Sequence, residues 1–476
     1  MSENSNELLI NEPSKQWILM GIVAISIFMY SLDYSMLNIS LPTISNYFNV
    51  SVGVVALLPL AYLLVVTSTI LGFGKLGDIK GFSKLFMIGM GIFVVGTFLC
   101  SLAPSLNILL LIRVFQCLGE AMYSAAGIAL LTTFLPSNIK GRALGIVATS
   151  QGLGLSLGPA IGGMLNTYFS WHTIFLVNIP IGVVTLMLAL KFLPRKQLEA
   201  RDKSFDVPGS ILLFVLLSAL ILTLNYAGRL GWSDPFIIGS IITFVIALAA
   251  FIVRETRAKS PLLDLELFKN KNFSFANISA FLMVCGCFGF SFLFPFYLQL
   301  VRGIDVSMSG FLMMIPSILM MVLGPITGNL SDKIGSKGLS VAATILMIAS
   351  FGMLTVLSPT ASLLYIAACL FVLGCAMGFF LAPNSKLIMT SAPADKQGLT
   401  SGIYKTVVNT GSVVGVALLP LILAQVILGQ IAKYSIPIAQ AKHSIPTMMA
   451  GFHAVFIAGA VLSIFALVCV ILIKEQ

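Results

Sequence analysis

Long apolar stretches broken by short polar loops set the pattern of this chain. They fall near residues 17-41, 52-74, 85-103, 106-134, 142-166, 173-193, 208-228, 235-253, 273-301, 308-331, 338-357, 361-389, 398-428 and 447-473. Each is long enough, at about 20 residues, to cross roughly 30 Å of hydrocarbon as an α-helix. None shows the short apolar-polar alternation of a lipid-facing barrel strand. Backbone groups in hydrocarbon must satisfy one another, so the pattern predicts an all-α integral membrane protein with fourteen transmembrane helices. Residues 1 to 16 are polar, and the run after them is long and has no small-residue cleavage site. That predicts a retained first span and no cleaved signal peptide.

Composition agrees with the pattern: 58% of the residues are hydrophobic, 9% are charged, and the mean hydropathy is +1.03. The net charge of +10 gains meaning from its location. An even number of spans puts both termini on one side, and 19 of the 27 Lys and Arg residues fall in the termini and the loops sharing that side. Four (Arg229, Arg302, Lys433, Lys442) fall opposite, and four (Arg113, Lys191, Lys386, Lys405) lie in or at the ends of spans. This asymmetry predicts cytoplasmic termini and accounts for the basic excess without a nucleic-acid partner. The seven cysteines all lie in apolar runs and the three histidines are dispersed, so neither disulfides nor a metal site are expected. No phosphate-binding G-x-x-x-x-G-K-[ST] loop and no nucleophile-base set is present, which argues against an ATP-driven pump or an enzyme.

The chain repeats itself. "GKLGDIKGFSK" from Gly74 and "GNLSDKIGSKG" from Gly328 share G-x-L-x-D-x-x-G at an offset of 254. "LGEAM" from Leu118 recurs as "LGCAM" from Leu373, and Gly141, Gly145, Gly154 and Gly158 match Gly398, Gly402, Gly411 and Gly415. A nearly constant offset predicts two parallel six-helix bundles, 15-194 and 270-474. Two inserted helices with basic connectors, 195-269, would lie between them and keep the second half in the orientation of the first.

Polar residues inside spans carry the chemistry. Arg113, Gln116 and Glu120 fall on one face of helix 4, and the charged pair is separated by about 10 Å of rise. A charge in hydrocarbon is costly, so these groups are expected to line one wall of a cavity. Asp33 of helix 1 is the natural counter-charge for Arg113. Glu120, farther from the guanidinium, is the better candidate to carry a proton at neutral pH. The bland alternatives are a fixed Asp33-Arg113 pair holding two helices together, and a Glu120 that is permanently protonated.

Helix 5 carries Gly154, Gly158, Pro159, Gly162 and Gly163, a set that permits close packing and a bend. In the loop motif, Gly74 and Gly81 permit a tight turn and Asp78 can accept from a helix N-terminus; Gly328, Asp332 and Gly335 repeat it. Lys405, in helix 13, either snorkels or reaches the cavity, whereas Lys386, near a helix end, is expected to snorkel. Phe281, Phe288, Phe292 and Phe296 form a stripe on helix 9 that faces lipid, a neighbouring helix or a drug cavity.

These motifs resemble those of the major facilitator superfamily, and within it the 14-helix drug:proton antiporter branch. "LDYSMLNISLPTI" is similar to the branch's helix 1 motif, "RVFQCLGEAM" to its helix 4 motif R-x-x-Q-G-x-G, and "GLSLGPAIGG" to its antiporter motif. Ile79, Phe82, Ser83 and Cys117 depart from the family pattern. The resemblance implies a multidrug efflux transporter: a proton-coupled antiporter in the cell membrane that exports small lipophilic compounds, cations among them, by alternating access. It needs no cofactor and works as a monomer on the transmembrane proton gradient. In this reading Asp33, Arg113 and Glu120 couple protons. Tyr34, Asn38, Gln116, Tyr123, Gln151, Phe288, Phe292, Lys405 and Asn409 line the substrate cavity. The rivals are a same-fold exporter of an endogenous lipid or metabolite, and a nutrient symporter or uniporter.

Overall fold

A computed structural model describes residues 10, 12-194, 207-257, 266-393, 397-434 and 444-474. Fourteen of its helices are long and apolar enough to cross a membrane. In chain order the principal helices are α1 Pro13–Tyr47, α2 Leu57–Lys80, α3 Phe82–Cys100, α4 Leu106–Phe134, α5 Ser137–Tyr168, α6 Asn178–Phe192 and α7 Val207–Leu230. They continue with α8 Pro235–Arg257, α9 Lys271–Phe296, α10 Val306–Ile334, α11 Ser336–Thr355, α12 Leu363–Thr390, α13 Gln397–Tyr434 and α14 Ile445–Leu472. Single turns at Val52–Val55 and Thr173–Leu176 extend the second and sixth spans, and a π-turn at Tyr297–Val301 follows α9. The basic connector 195-206 lies outside the described residues, as does 258-265 of the second one.

Helix boundaries follow local chemistry. Asp305, Ser362 and Asn270 cap α10, α12 and α9 by accepting from backbone N-H groups that the first turn leaves free. Gly81 and Gly335 end α2 and α10 at φ 93° and 87°, a backbone region that side chains resist. Gly74 and Gly328, expected to share in those turns, sit inside helices instead, because one positive-φ residue suffices to reverse the chain.

The two halves pack alike. In the first, α1 lies on α5 and α6, α4 on α2 and α3, and α3 on α6. In the second, α9 lies on α13 and α14, α12 on α10 and α11, and α11 on α14. Across the halves α5 meets α10 and α2 meets α13. Of the inserted pair, α7 packs against α2 and α13 and α8 packs on α7, so α8 leaves most of its apolar surface facing outward.

The halves touch closely at the face opposite the chain ends. There a Cβ on Gly163 would stand 2.5 Å from Val306 O, and one on Gly310 would collide with Pro159 O. Gln299 Nε2 donates across the same seam to Ile39 O at 3.0 Å. Gly154, Gly158 and Gly162 serve the neighbouring contact: their faces press on α1 at Phe28 O, the Ser35 hydroxyl and Met36. The glycine-rich stretch of helix 5 therefore packs on α1 with one set of residues and on the other half with Pro159 and Gly163.

Candidate functional site: a central cavity and a buried ionic cluster

A cavity of about 1400 Å³ lies between the two halves. It reaches toward the face bearing the chain ends, as Arg142 and Gly145 near the start of α5 and Gly328 and Asn329 near the end of α10 line it. Deeper in, α1 contributes Tyr34 and Asn38, α5 contributes Gln151, and α9 contributes Phe288. Met313, Met320, Met321 and Met377 supply flexible apolar surface that can mould itself to unlike ligands. The described lining contains no carboxylate, and Arg142 is its single charged residue.

The ionic cluster lies behind this wall, inside the first half. Arg113 is 0% exposed, Glu120 2% and Asp33 3%, so the expectation that they line the cavity is corrected. The reason is rotational: on α1, Tyr34 and Asn38 turn to the cavity while Asp33, one residue away, turns toward α4 and α6. Arg113 Nη1 meets Asp33 Oδ2 at 2.6 Å, as the predicted counter-charge should. Asn178 Nδ2 and Gln116 Nε2 donate to Asp33 Oδ1 at 3.2 and 3.4 Å. Gln116 also accepts from Arg113 Nη1 at 2.7 Å and donates to Thr97 at 2.7 Å. The guanidinium nonetheless keeps Nε and Nη2 without a hydrogen-bond acceptor among the described residues, and it is flanked by the Tyr62 and Phe175 rings at 5.7 and 5.9 Å. Buried charge of this kind is costly when it is incompletely matched, which makes the cluster sensitive to any change in its ionisation.

Glu120 has a separate partner. The Tyr62 hydroxyl donates to its Oε1 at 2.5 Å, and the Tyr62 ring lies 5.2 Å from that of cavity-lining Tyr34. Tyr62, Thr97 and Asn178 join the site only through the tertiary packing. Asn178 and Thr97 carried a usable signal as lone polar groups in apolar spans, whereas Tyr62 looks like ordinary span composition until α2 is laid on α4.

The remaining expected residues divide. Tyr34, Asn38, Gln151 and Phe288 line the cavity. Gln116 and Tyr123 do not, since both are fully buried, Gln116 in the ionic cluster and Tyr123 among Phe86 and Phe93. Phe292 and Phe296 are buried too, their rings tilted at 45° against each other, so the helix 9 stripe reaches the cavity only at Phe288. Asn409 and Lys405 are not in the lining; Lys405 is exposed and lies three residues from lining Val408.

Asp332 pairs with Lys386 Nζ at 2.5 Å rather than with a helix N-terminus, the Lys386 ammonium reaching a partner that is itself exposed. Asp78 has no hydrogen bond or ion pair among the described residues. The latch expected of the loop motif is therefore not formed here, in keeping with a cavity that reaches this face.

The chain is 36% identical over 411 residues to the riboflavin transporter RibZ of Clostridioides difficile, covering 86% of this chain and 89% of that one. It is 29% identical over 401 residues to the multidrug resistance protein Stp of Mycobacterium tuberculosis, covering 84% and 74%. The crystal structure of a bacterial homologue of the lysosomal transporter Spinster, inward-facing and unoccupied, matches with a TM-score of 0.68 at 16% identity over 97% of this chain and 98% of that one. A peptide transporter POT in complex with sulfate matches at 0.70 and 15% identity, over 98% of both chains. The family model of the Major Facilitator Superfamily spans residues 23–416. With duplicated bundles, a cavity between them and this match over most of its length, the chain is a multi-pass membrane transporter belonging to the Major Facilitator Superfamily.

Proposed function

We propose that the protein is a proton-coupled antiporter of the cell membrane, with cytoplasmic termini, that exports small lipophilic compounds by alternating access as a monomer. The observation that carries this reading is the buried Asp33-Arg113-Glu120 cluster placed directly behind the wall of a solvent-reaching cavity. No packing requirement of a purely structural bundle calls for three ionisable groups in so apolar a setting, and structure is cheaper to hold with apolar side chains. The multidrug resistance relative supports export. With the termini cytoplasmic, the structure is the inward-facing state, and protons reach the cluster in the outward-facing one.

The lining, whose single described charge is Arg142, refines the substrate. With no carboxylate among the described lining residues to meet a permanent cation, the cavity favours neutral, flat, amphipathic compounds that rest on Tyr34 and Phe288 and bond to Asn38 and Gln151. The same observation favours a second reading, carriage of a neutral vitamin-like heterocycle, in line with the riboflavin transporter among the relatives. Purified protein in liposomes with an imposed pH gradient distinguishes them, with riboflavin and a neutral lipophilic dye as probes. The antiport reading expects net flux to reverse when the gradient is reversed and to be lost in Glu120→Gln, Asp33→Asn or both. Wild-type flux in both variants, or flux indifferent to the gradient, refutes it.

A further inference from the structure

We propose that Tyr62 is a positioning residue that ties the charge state of Glu120 to the wall of the cavity. This rests on the proton-coupled reading above and deepens it. Tyr62 is buried on α2, its hydroxyl is the one hydrogen-bond partner of Glu120 among the described residues, and its ring contacts Tyr34. Tyr34 in turn faces the cavity. One side chain thus touches both the acidic group and the surface on which a substrate would rest.

The direction of the effect follows from the bond. A phenol O-H donated to a carboxylate is charge-assisted and favours the ionised acid. When Glu120 takes a proton that bond weakens, and the Tyr62 ring loses the tether that holds it against Tyr34. The converse also holds: a ligand that displaces Tyr34 loosens the tether and favours protonation. Arg113, 5.7 Å from the Tyr62 ring centre, places its cation beside the same ring, so the ring also senses the Asp33 pair. The other titratable groups facing Glu120 are Tyr30 and Asp33 from α1 and Arg113, Cys117 and Tyr123 from α4 itself. From α3, Cys100 joins the network through Gln116, while α5 packs on α1 through its glycines.

The test needs no known substrate. Deuterium uptake at the α5-α10 seam of the full-length protein in nanodiscs is followed from pH 5 to 9 and gives a midpoint for the proton-linked change. Tyr62→Phe keeps the ring and removes the donor. It is expected to raise that midpoint by about one pH unit, a tenfold shift of the size a hydrogen bond to a charged group supplies. Glu120→Gln is expected to abolish the midpoint, and Tyr62→Phe to add nothing in that background. Tyr34→Ala, which makes no hydrogen bond to Glu120 among the described residues, is expected to move the midpoint as well. A wild-type midpoint in Tyr62→Phe or in Tyr34→Ala, with Glu120→Gln still abolishing it, overturns the inference and leaves the proton-coupled reading standing. A wild-type protein with no pH-dependent change at the seam overturns both.

Discussion

The seam between α5 and α10 is the place where a single added methyl group should redistribute the transporter between its states. In Gly163→Ala the new Cβ would lie 2.5 Å from Val306 O and 3.0 Å from Ser307 Cα. An ordinary contact is close to 3.5 Å, so the two helices must part by about 1 Å, and both obstructing atoms are backbone. Overpacking of this kind costs about 1–3 kcal/mol. Under the alternating access proposed above, the cost falls on the described state alone, because the halves then separate at this face in the other state and the methyl group finds room. The whole penalty is then differential and shifts the equilibrium roughly 5- to 150-fold toward opening at that face. Hydrogen-deuterium exchange on the purified variant reads this directly: faster exchange at the end of α5 and the start of α10, and slower exchange at the mouth lined by Arg142 and Asn329. Unchanged exchange at both ends, in a variant that melts with the wild type, refutes the view that the seam at Gly163 parts between states.

Two further outcomes follow from the same geometry. Arg113→Ala strands Asp33 in a buried site and should cost about 3–5 kcal/mol of stability, read as a lower midpoint of thermal unfolding, with Arg113→Ala/Asp33→Asn recovering part of the loss. Gly335→Ala forces a side chain into φ 87° and should destabilise by about 1–2 kcal/mol, whereas Gly74→Ala, helical with nothing within 4 Å of its Cβ position, should be neutral or stabilising in the same assay.

The resemblance of the loop motif to its repeat hides a division of labour that these variants expose. The second glycine of each copy holds the turn, and the first is a helical residue. Asp332 spends its charge on Lys386, while Asp78, at the equivalent place, has no partner among the described residues. Equivalent motifs thus need not make equivalent contacts, since the elements around each copy differ.

The run lengths and their lack of barrel-like alternation determined the class of fold, because hydrocarbon leaves the backbone only helices or closed barrels in which to bond with itself. The near-constant repeat offset foretold the matching packing of the two halves, and the opposite charges of Asp33 and Arg113 foretold their pairing. Which side of each helix meets the cavity was decided only by tertiary packing. A turn of 100° per residue sends Tyr34 to the cavity and Asp33 away from it, and helical spacing on α4 puts Gln116 and Glu120 on a common face without saying what that face meets. Tyr62 entered the site for the same reason: its link to Glu120 spans 58 residues, and nothing in the local sequence of α2 records the helix against which it will lie.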